Sequence, residues 1–564
     1  MRALATSVFI VLLTASGQLL SAQNSAADPV VDSLQQELRR SFDNLSKQSV
    51  PAYFLAYQLT DNRAIGAKAS FGALVSSSDH RTRVLDVDLR VGDYKLDNTD
   101  AAYSRNPMQY ASAKMGHTSM PLDDGPDVLQ YSLWRETDRK YKLALEQWQD
   151  VKTAVEVKAE SEDKSGDFSH EPARTYSEAE SPFNFDRKQA EDKARLYSES
   201  FTKYPGVTEA SVEIIGELET RRFVDSEGSA IKISSPLYRI KIYAASRTPD
   251  GMELPLYREY LAFRPEALPN DDIVLGAIVE MGNKIELLRA APVAEPYTGP
   301  AILSGRASAV FFHEIFGHRV EGHRQKSEDD AQTFRKKVGQ PVLPPFLSVY
   351  SDPTQMQYQG RDLAGYYKYD DQGVQATRVP VVENGVFKNF LMSRTPIQGF
   401  PTSNGHGRRQ QGFEVTARQS NLIVVASQHV SRAELKKQLI KLVKASNKPY
   451  GLYFEDVEGG FTFTQRFIPN AFKVMPTVVY RVYPDGREEL VRGLDLIGTP
   501  LTAFSKIVAA DDEIGVFNGI CGAESGWVPV SAVSPGILVS QMEVQLKPKS
   551  QEREPVLSSP PDKP

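Results

Sequence analysis

The spacing of apolar positions along this chain changes several times, and each change predicts an element. Val31, Leu34, Leu38, Phe42 and Leu45 recur at intervals of three and four. That is one face of an amphipathic helix, with Asp28 placed to cap its first turn. Leu85, Val87, Leu89 and Val91 alternate with Asp86, Asp88 and Arg90, the period of two that predicts a half-buried strand. Residues 53–60, 212–218 and 237–244 predict further strands, and Asp225-Ser226-Glu227-Gly228 a turn between two runs.

Between these strands the pattern turns helical. Residues 129–160 carry Leu133, Trp134, Tyr141, Leu145, Trp148 and Val151 among many charges, residues 160–182 read as a loop, and a second charged helix covers about 186–204. Together they predict a helical and acidic insertion over about 128–204, whose mixed charges suit a solvated face or a packing arm. Another helix is predicted over 271–291, and the proline-containing Pro292-Val293-Ala294-Glu295-Pro296 marks a domain boundary. Short strands follow, with turns expected at Glu383-Asn384-Gly385, Glu458-Gly459-Gly460 and Pro484-Asp485-Gly486. Asn384-Gly385 between residues 379–382 and 386–391 is a hairpin signal. The predicted fold class is therefore α+β in two domains. Residues 28–291 form a helix-and-mixed-sheet domain, residues 297–546 a strand-rich domain, and the polar, proline-rich residues 547–564 a disordered tail.

Composition narrows the function classes. At 564 residues the chain has room for more than one core. Hydrophobic residues make up 41% and charged residues 24%, as in ordinary globular proteins. A formal net charge of −6 without a basic stripe argues against nucleic acid as a direct partner. Arg2, the apolar residues 3–13 and the small residues after them read as a signal peptide over 1–22, with Ser21-Ala22 or Ala26-Ala27 as cleavage points. The segment is too short and interrupted for a stable membrane span. An exported protein, periplasmic or extracellular, is expected. Its one cysteine, Cys521, cannot form an internal disulfide.

The candidate chemistry gathers at His313-Glu314-Ile315-Phe316-Gly317-His318 and Cys521. Two imidazoles, a thiolate and a carboxylate are what a catalytic zinc needs: three ligands, an open position and a base. Ser304 is placed to cap a helix through His313 that is apolar nearly all round, hence interior. Buried imidazole and carboxylate are costly unless paired or bound to metal. The two histidines are five residues apart instead of the four of the familiar metalloprotease helix, and a regular helix would splay them by about 140°. Gly317 is expected to leave helical geometry and swing His318 back, and Gly322 to loosen the chain after it. The competing reading is a pair of hydrogen-bonded core histidines. His323 is a candidate further ligand, but in polar Glu321-Gly322-His323-Arg324 it reads as exposed, and His80, His117, His170, His406 and His429 read as surface residues. Cys521, with glycines on either side, is expected on a turn that presents its thiol, against the alternative of a buried structural cysteine.

These residues resemble the TldD/PmbA family of zinc-dependent peptidases. The resemblance runs over about 297–538 and takes in Thr298-Gly299-Pro300, the His-Glu motif, Glu321-Gly322, Ser403-Asn404-Gly405-His406-Gly407-Arg408-Arg409, Arg418-Gln419-Ser420-Asn421, Val491-Arg492-Gly493, Leu496-Ile497-Gly498, Cys521-Gly522 and Val528-Pro529-Val530. It implies one Zn2+ per chain held by His313, His318 and Cys521, with Glu314 as general base, in the catalytic TldD branch. It also implies a homodimer, or a heterodimer with a TldE/PmbA-like paralogue, that takes peptides in extended conformation by strand addition. The sequence departs from the family pattern at His323, where TldD-like members have aspartate, and in its leader. Three functions are consistent with it: a zinc peptidase acting on unfolded or flexible peptides, a zinc hydrolase of non-peptide or modified-peptide amides, and a non-catalytic subunit of a TldD/TldE-like assembly.

Overall fold

The computed structural model describes residues 28–99, 118–157, 163–326, 330–465, 472–499 and 503–549. The expected leader over 1–22, His117 and the tail beyond residue 549 lie outside the described residues. Helix α1, Pro29–Leu45, opens the first region, and the Asp28 side chain accepts the backbone N–H of Val30 and Val31. Strands β1 (Ala52–Ser70), β2 (Ala73–Val91), β3 (Glu209–Asp225), β4 (Ala230–Arg247) and β5 (Glu253–Ala262) form an antiparallel sheet in the order β2-β1-β3-β4-β5. Helices α2 (Pro126–Val157), α3 (Arg187–Glu199) and α4 (Asp271–Ala290) pack on it. Leu34 and Leu38 of α1 meet Leu55, Leu85 and Leu133 in one core, and Tyr197 and Phe201 meet Val212, Ile240 and Ile285 in another. The turn at residues 225–228 is present, with Gly228 at φ +106°.

One expectation here fails. The alternating stretch of β2 is covered on both faces, and Asp86 and Arg90 are buried. The charged face is covered because each charge has a partner. Asp86 accepts the backbone N–H of Gly412 at 2.8 Å from the second region, while Arg90 pairs with Asp97 and lies over the Phe168 ring. Alternation reports that two faces differ, not that one is wet.

The second region is built around a closed barrel. Its described elements include β6 (Tyr297–Leu303), α5 (Gly305–Ile315), β7 (Leu347–Ser351), β8 (Asn421–Ala426), α6 (Arg432–Ala445), β9 (Gly451–Thr462), β10 (Phe472–Val482), β11 (Leu494–Gly498), β12 (Ile507–Ala523) and β13 (Gly526–Leu546). Strand β6 pairs with β9 and with β13, and β9-β10-β11-β13 completes the circuit. The first half of the long β13 extends beyond the barrel, pairing with β12 and with β8, which leads on to β7. Helix α5 leaves β6 directly and packs against β9, β10, β12 and β13. Its Val310, Phe311, Phe312 and Ile315 join Phe454, Phe472 and Val474 in the largest core.

The Asn384-Gly385 hairpin forms with both residues at positive φ, +48° and +81°, the backbone that this turn type demands. Glu458-Gly459-Gly460 does not turn. It continues β9 through a register irregularity between Val457 and Gly459. A Cβ on Gly460 would stand 2.6 Å from the Glu314 Cγ, so that glycine serves close approach instead of chain reversal. Cys521 likewise sits on strand β12, and the reversal follows it at residues 524–525. Among the described residues no helix is long and apolar enough to cross a membrane.

Candidate metal centre

The Ser304 hydroxyl accepts the Ala307 N–H at 3.2 Å and starts α5, which is interior as its composition requires. The α-helix stops at Ile315, and Gly317–Val320 wind on as a tighter 3-10 turn. That change of winding brings the second histidine round: the His313 and His318 rings lie 5.1 Å apart, centroid to centroid, at 81°. Gly317 contributes in a way the sequence reading missed. It is not left-handed; a Cβ there would collide with the Gln419 side chain. Gly322 is no hinge either. Its N–H donates to the Leu391 carbonyl at 2.8 Å, and the Met392 sulfur occupies the space of a Cβ.

Strand β12 delivers Cys521 to the same place, 203 residues later in the chain. Its Sγ lies 3.3 Å from His318 Nε2, and the donor atoms of His313, His318 and Cys521 all stand within 4.8 Å of one another. Bonds of 2.0–2.3 Å in a tetrahedron put zinc's donor atoms about 3.3–3.6 Å apart, so the spacing suits one ion. His318 Nδ1 faces Glu321 Oε2 at 3.3 Å, which turns Nε2 toward the sulfur. Arg418, fully buried, donates from Nη2 to Cys521 Sγ at 3.2 Å and to the Cys521 carbonyl at 2.8 Å. Its Nη1 donates to Ser525 Oγ and the Gly526 carbonyl, bracing the hairpin tip. Glu314 Oε2 lies 4.0 Å from His318 Nε2.

The charges are tuned by this enclosure. Burial pushes the Glu314 carboxyl up, and the neighbouring imidazoles only partly offset it. Burial also opposes a Cys521 thiolate, yet the two histidines outweigh it and hold the thiol well below its ordinary value. For His318 burial disfavours the cation, but the thiolate and Glu321 prevail and raise it. Glu321 is held at about 2 against burial by His318 and Arg324. An ionised thiolate beside two imidazoles is the donor set of a zinc site.

The other histidines sort differently. His323, expected to be exposed, keeps 16% side-chain exposure and faces the Glu524 carboxylate, whose second oxygen accepts from Arg324 at 2.9 Å. Glu321, His323 and Glu524 form a second close group, but Arg324 bridges its two carboxylates and Arg418 reaches it, so it is an ion-paired network. His406, expected at the surface, is fully buried, bonding Ser351 Oγ at 3.0 Å and Asn404. His80, His170 and His429 are exposed, as expected.

A cleft of about 610 Å³ opens over the donors. Residues 458–465 line one wall and residues 517 and 520–524 the other. Among the described residues, β9 beyond Glu455 pairs only with β10, and residues 514–523 of β12 pair only with β13. Each wall therefore includes a strand edge with no second described strand beside it, at residues 458–461 and 514–523, while residues 463–465 are bonded by Arg319, Asp330 and Ala331.

Residues 296–546 match the sequence profile of the PmbA/TldA metallopeptidase C-terminal domain. This region belongs to the PmbA/TldD metallopeptidase family. A metalloprotease of Archaeoglobus fulgidus is 28% identical over 275 residues, covering 48% of this chain and 58% of that protein. A zinc metalloprotease TldD homolog of Saccharolobus solfataricus is 21% identical, covering 64% of this chain and 76% of its own. A metalloprotease TldD homolog of Haemophilus influenzae is 24% identical over 43% of this chain and 48% of its own. The chain thus spans about half to three quarters of the length of these relatives. The fold is shared with TldE of Thermococcus kodakarensis, at a TM-score of 0.57 and 13% identity over 91% of this chain and 100% of the other. It is shared also with a Thermotoga maritima protein described as a proposed modulator of a DNA gyrase, at 0.60 and 18% over 90% and 99%.

Three residues of this PmbA/TldD centre carried no role in the sequence reading. Arg418 and Glu321 lie within the motifs that suggest the family, but sequence spacing has no way to show that a guanidinium 103 residues away meets the sulfur. Glu524, three residues past the cysteine, likewise becomes meaningful only beside His323 and Arg324.

Proposed function

We propose that this protein is a zinc-dependent peptidase that hydrolyses peptide bonds of unfolded or flexible peptides. The observation that carries the reading is the convergence of His313, His318 and Cys521 beside Glu314, beneath a cleft walled by β9 and β12, each paired with one described strand along the cleft. A zinc ion held by the three donors would supply Lewis acidity, polarising the scissile carbonyl and acidifying water. Glu314 takes the proton from water and returns it to the leaving amine, a task suited to a carboxyl whose proton affinity burial has raised. Glu321 holds His318 in the tautomer that leaves Nε2 for the ion, and Arg418 balances the charge on sulfur. The cleft-side edges of β9 and β12 offer main-chain donors and acceptors to an extended peptide, which selects backbone over sequence and excludes folded chains.

The likeness to TldE supports pairing with a second copy or a TldE-like paralogue, and the leader supports export to the periplasm or beyond. Zinc ligation would protect a lone thiol in such a compartment. Glu314→Gln tests the reading. The variant should keep one zinc per chain by elemental analysis yet lose about 10²- to 10⁴-fold of its cleavage of an unstructured peptide. Undiminished turnover would reject Glu314 as the base.

A further inference from the structure

The alternation of the two cleft walls sorts their side chains onto opposite faces. Cys521 points to the donor side, in a buried cluster with Val528 and Val530. Gly460 also lies on that side, against Glu314. On the outer face stand Phe461 and Phe463, each 42% exposed, with Ile520 at 47% and Trp527 at 63%. The Phe461 and Phe463 rings meet edge to face at 5.6 Å. Trp527 pairs across the hairpin with Gly522, and its ring fills the place of a Gly522 side chain, where a Cβ would come 2.7 Å from it. Single exposed apolar residues are ordinary. Here two line each rim of one cleft, all on the same face and continuous with the candidate metal centre.

We propose that these four side chains are apolar rails that select substrate. They favour extended segments carrying aromatic or branched aliphatic residues at alternate positions around the scissile bond. The inference rests on the peptidase reading above and adds the substrate class. A strand laid between the edges of β9 and β12 continues the sheet, and its side chains alternate between the two faces. Those on the donor side meet the imidazoles and Glu314. Those on the outer face stand between Phe461 and Phe463 on one hand and, on the other, Ile520 of the neighbouring strand and the Trp527 ring, which reaches forward from β13 over Gly522. A polar side chain there would leave the rails in water, whereas an apolar one covers them.

Binding to zinc-loaded Glu314→Gln protein separates this inference from hydrolysis. The probes are two fluorescently labelled octapeptides, one alternating Phe or Leu with polar residues and one with Ser at those same positions. The apolar peptide should bind about tenfold tighter, the effect of covering part of one or two large side chains. Trp527→Ala combined with Phe463→Ala, both at exposed positions, should abolish the preference while zinc content stays unchanged. Equal affinity for the two peptides, binding of neither, or a preference that survives the double substitution overturns the inference. A preference that the double substitution removes, in a protein whose wild type cuts neither peptide, upholds the rails and overturns the peptidase reading alone.

Discussion

His318 and His406 are both buried in the same region, and they have opposite electrostatic fates. His406 sits among neutral partners, the Ser351 hydroxyl and Asn404, and burial pushes it down to about 3, so its ring stays uncharged. His318 is buried too, at the floor of the cleft, but the Cys521 thiolate and Glu321 lie against its two nitrogens and drive it upward. One ring completes a hydrogen-bonded core. The other stands in an excess of negative charge that a cation relieves. Burial alone therefore does not mark a ligand; the charge of the groups facing the ring does.

Removing the sulfur attacks that difference most directly. Cys521→Ala deletes the thiolate, and the purified variant is expected to contain no zinc after dialysis against a mild chelator, where the wild type keeps one ion per chain. Zinc retained in full would take Cys521 out of the site. Arg418→Met is milder. It keeps the three donors but removes the N–H facing the sulfur at 3.2 Å, and competition with a chromophoric chelator should show zinc binding weakened about 10- to 100-fold. Unchanged affinity would reduce Arg418 to a brace for the Cys521 and Gly526 carbonyls.

The sequence revealed one of these histidines and misread the other, for identifiable reasons. His313, Glu314 and His318 lie on a helix whose apolar surround already announced an interior position, and Cys521 was conspicuous as a lone thiol. The α+β class and most long elements followed from periodicity, because the apolar repeat is the direct imprint of a buried face. His406 stands in Ser403-Asn404-Gly405-His406-Gly407, small polar residues typical of an exposed loop. That loop is buried because its polar groups bond one another and Ser351, a pairing across 55 residues that leaves no local trace. Glycines misled in the same way. Gly460 and Gly322 read as a turn and a loosening of the chain, yet they make room for Glu314 and Met392, and Gly317, where the winding does change, also makes room for Gln419.

The smallest expected effect is on His406, and it sharpens the comparison through pH. The ring's ordinary value is 6.5 and its folded value about 3. Above pH 6.5 it is neutral in both states and its contribution to stability is complete. Between 6.5 and 3 the unfolded chain takes up a proton that the folded chain refuses, so stability falls as pH falls, by about 2 kcal/mol at pH 5. His406→Gln should destabilise the fold by about 1–3 kcal/mol at pH 7, through lost hydrogen bonds in a closed site. Because glutamine binds no proton, the gap between wild type and variant should shrink by about 2 kcal/mol at pH 5, read from urea unfolding at the two pH values. Zinc content should be the same in both proteins. A gap that stays constant with pH would mean that the folded ring accepts a proton, and His406 would then belong with His318 instead of opposite it.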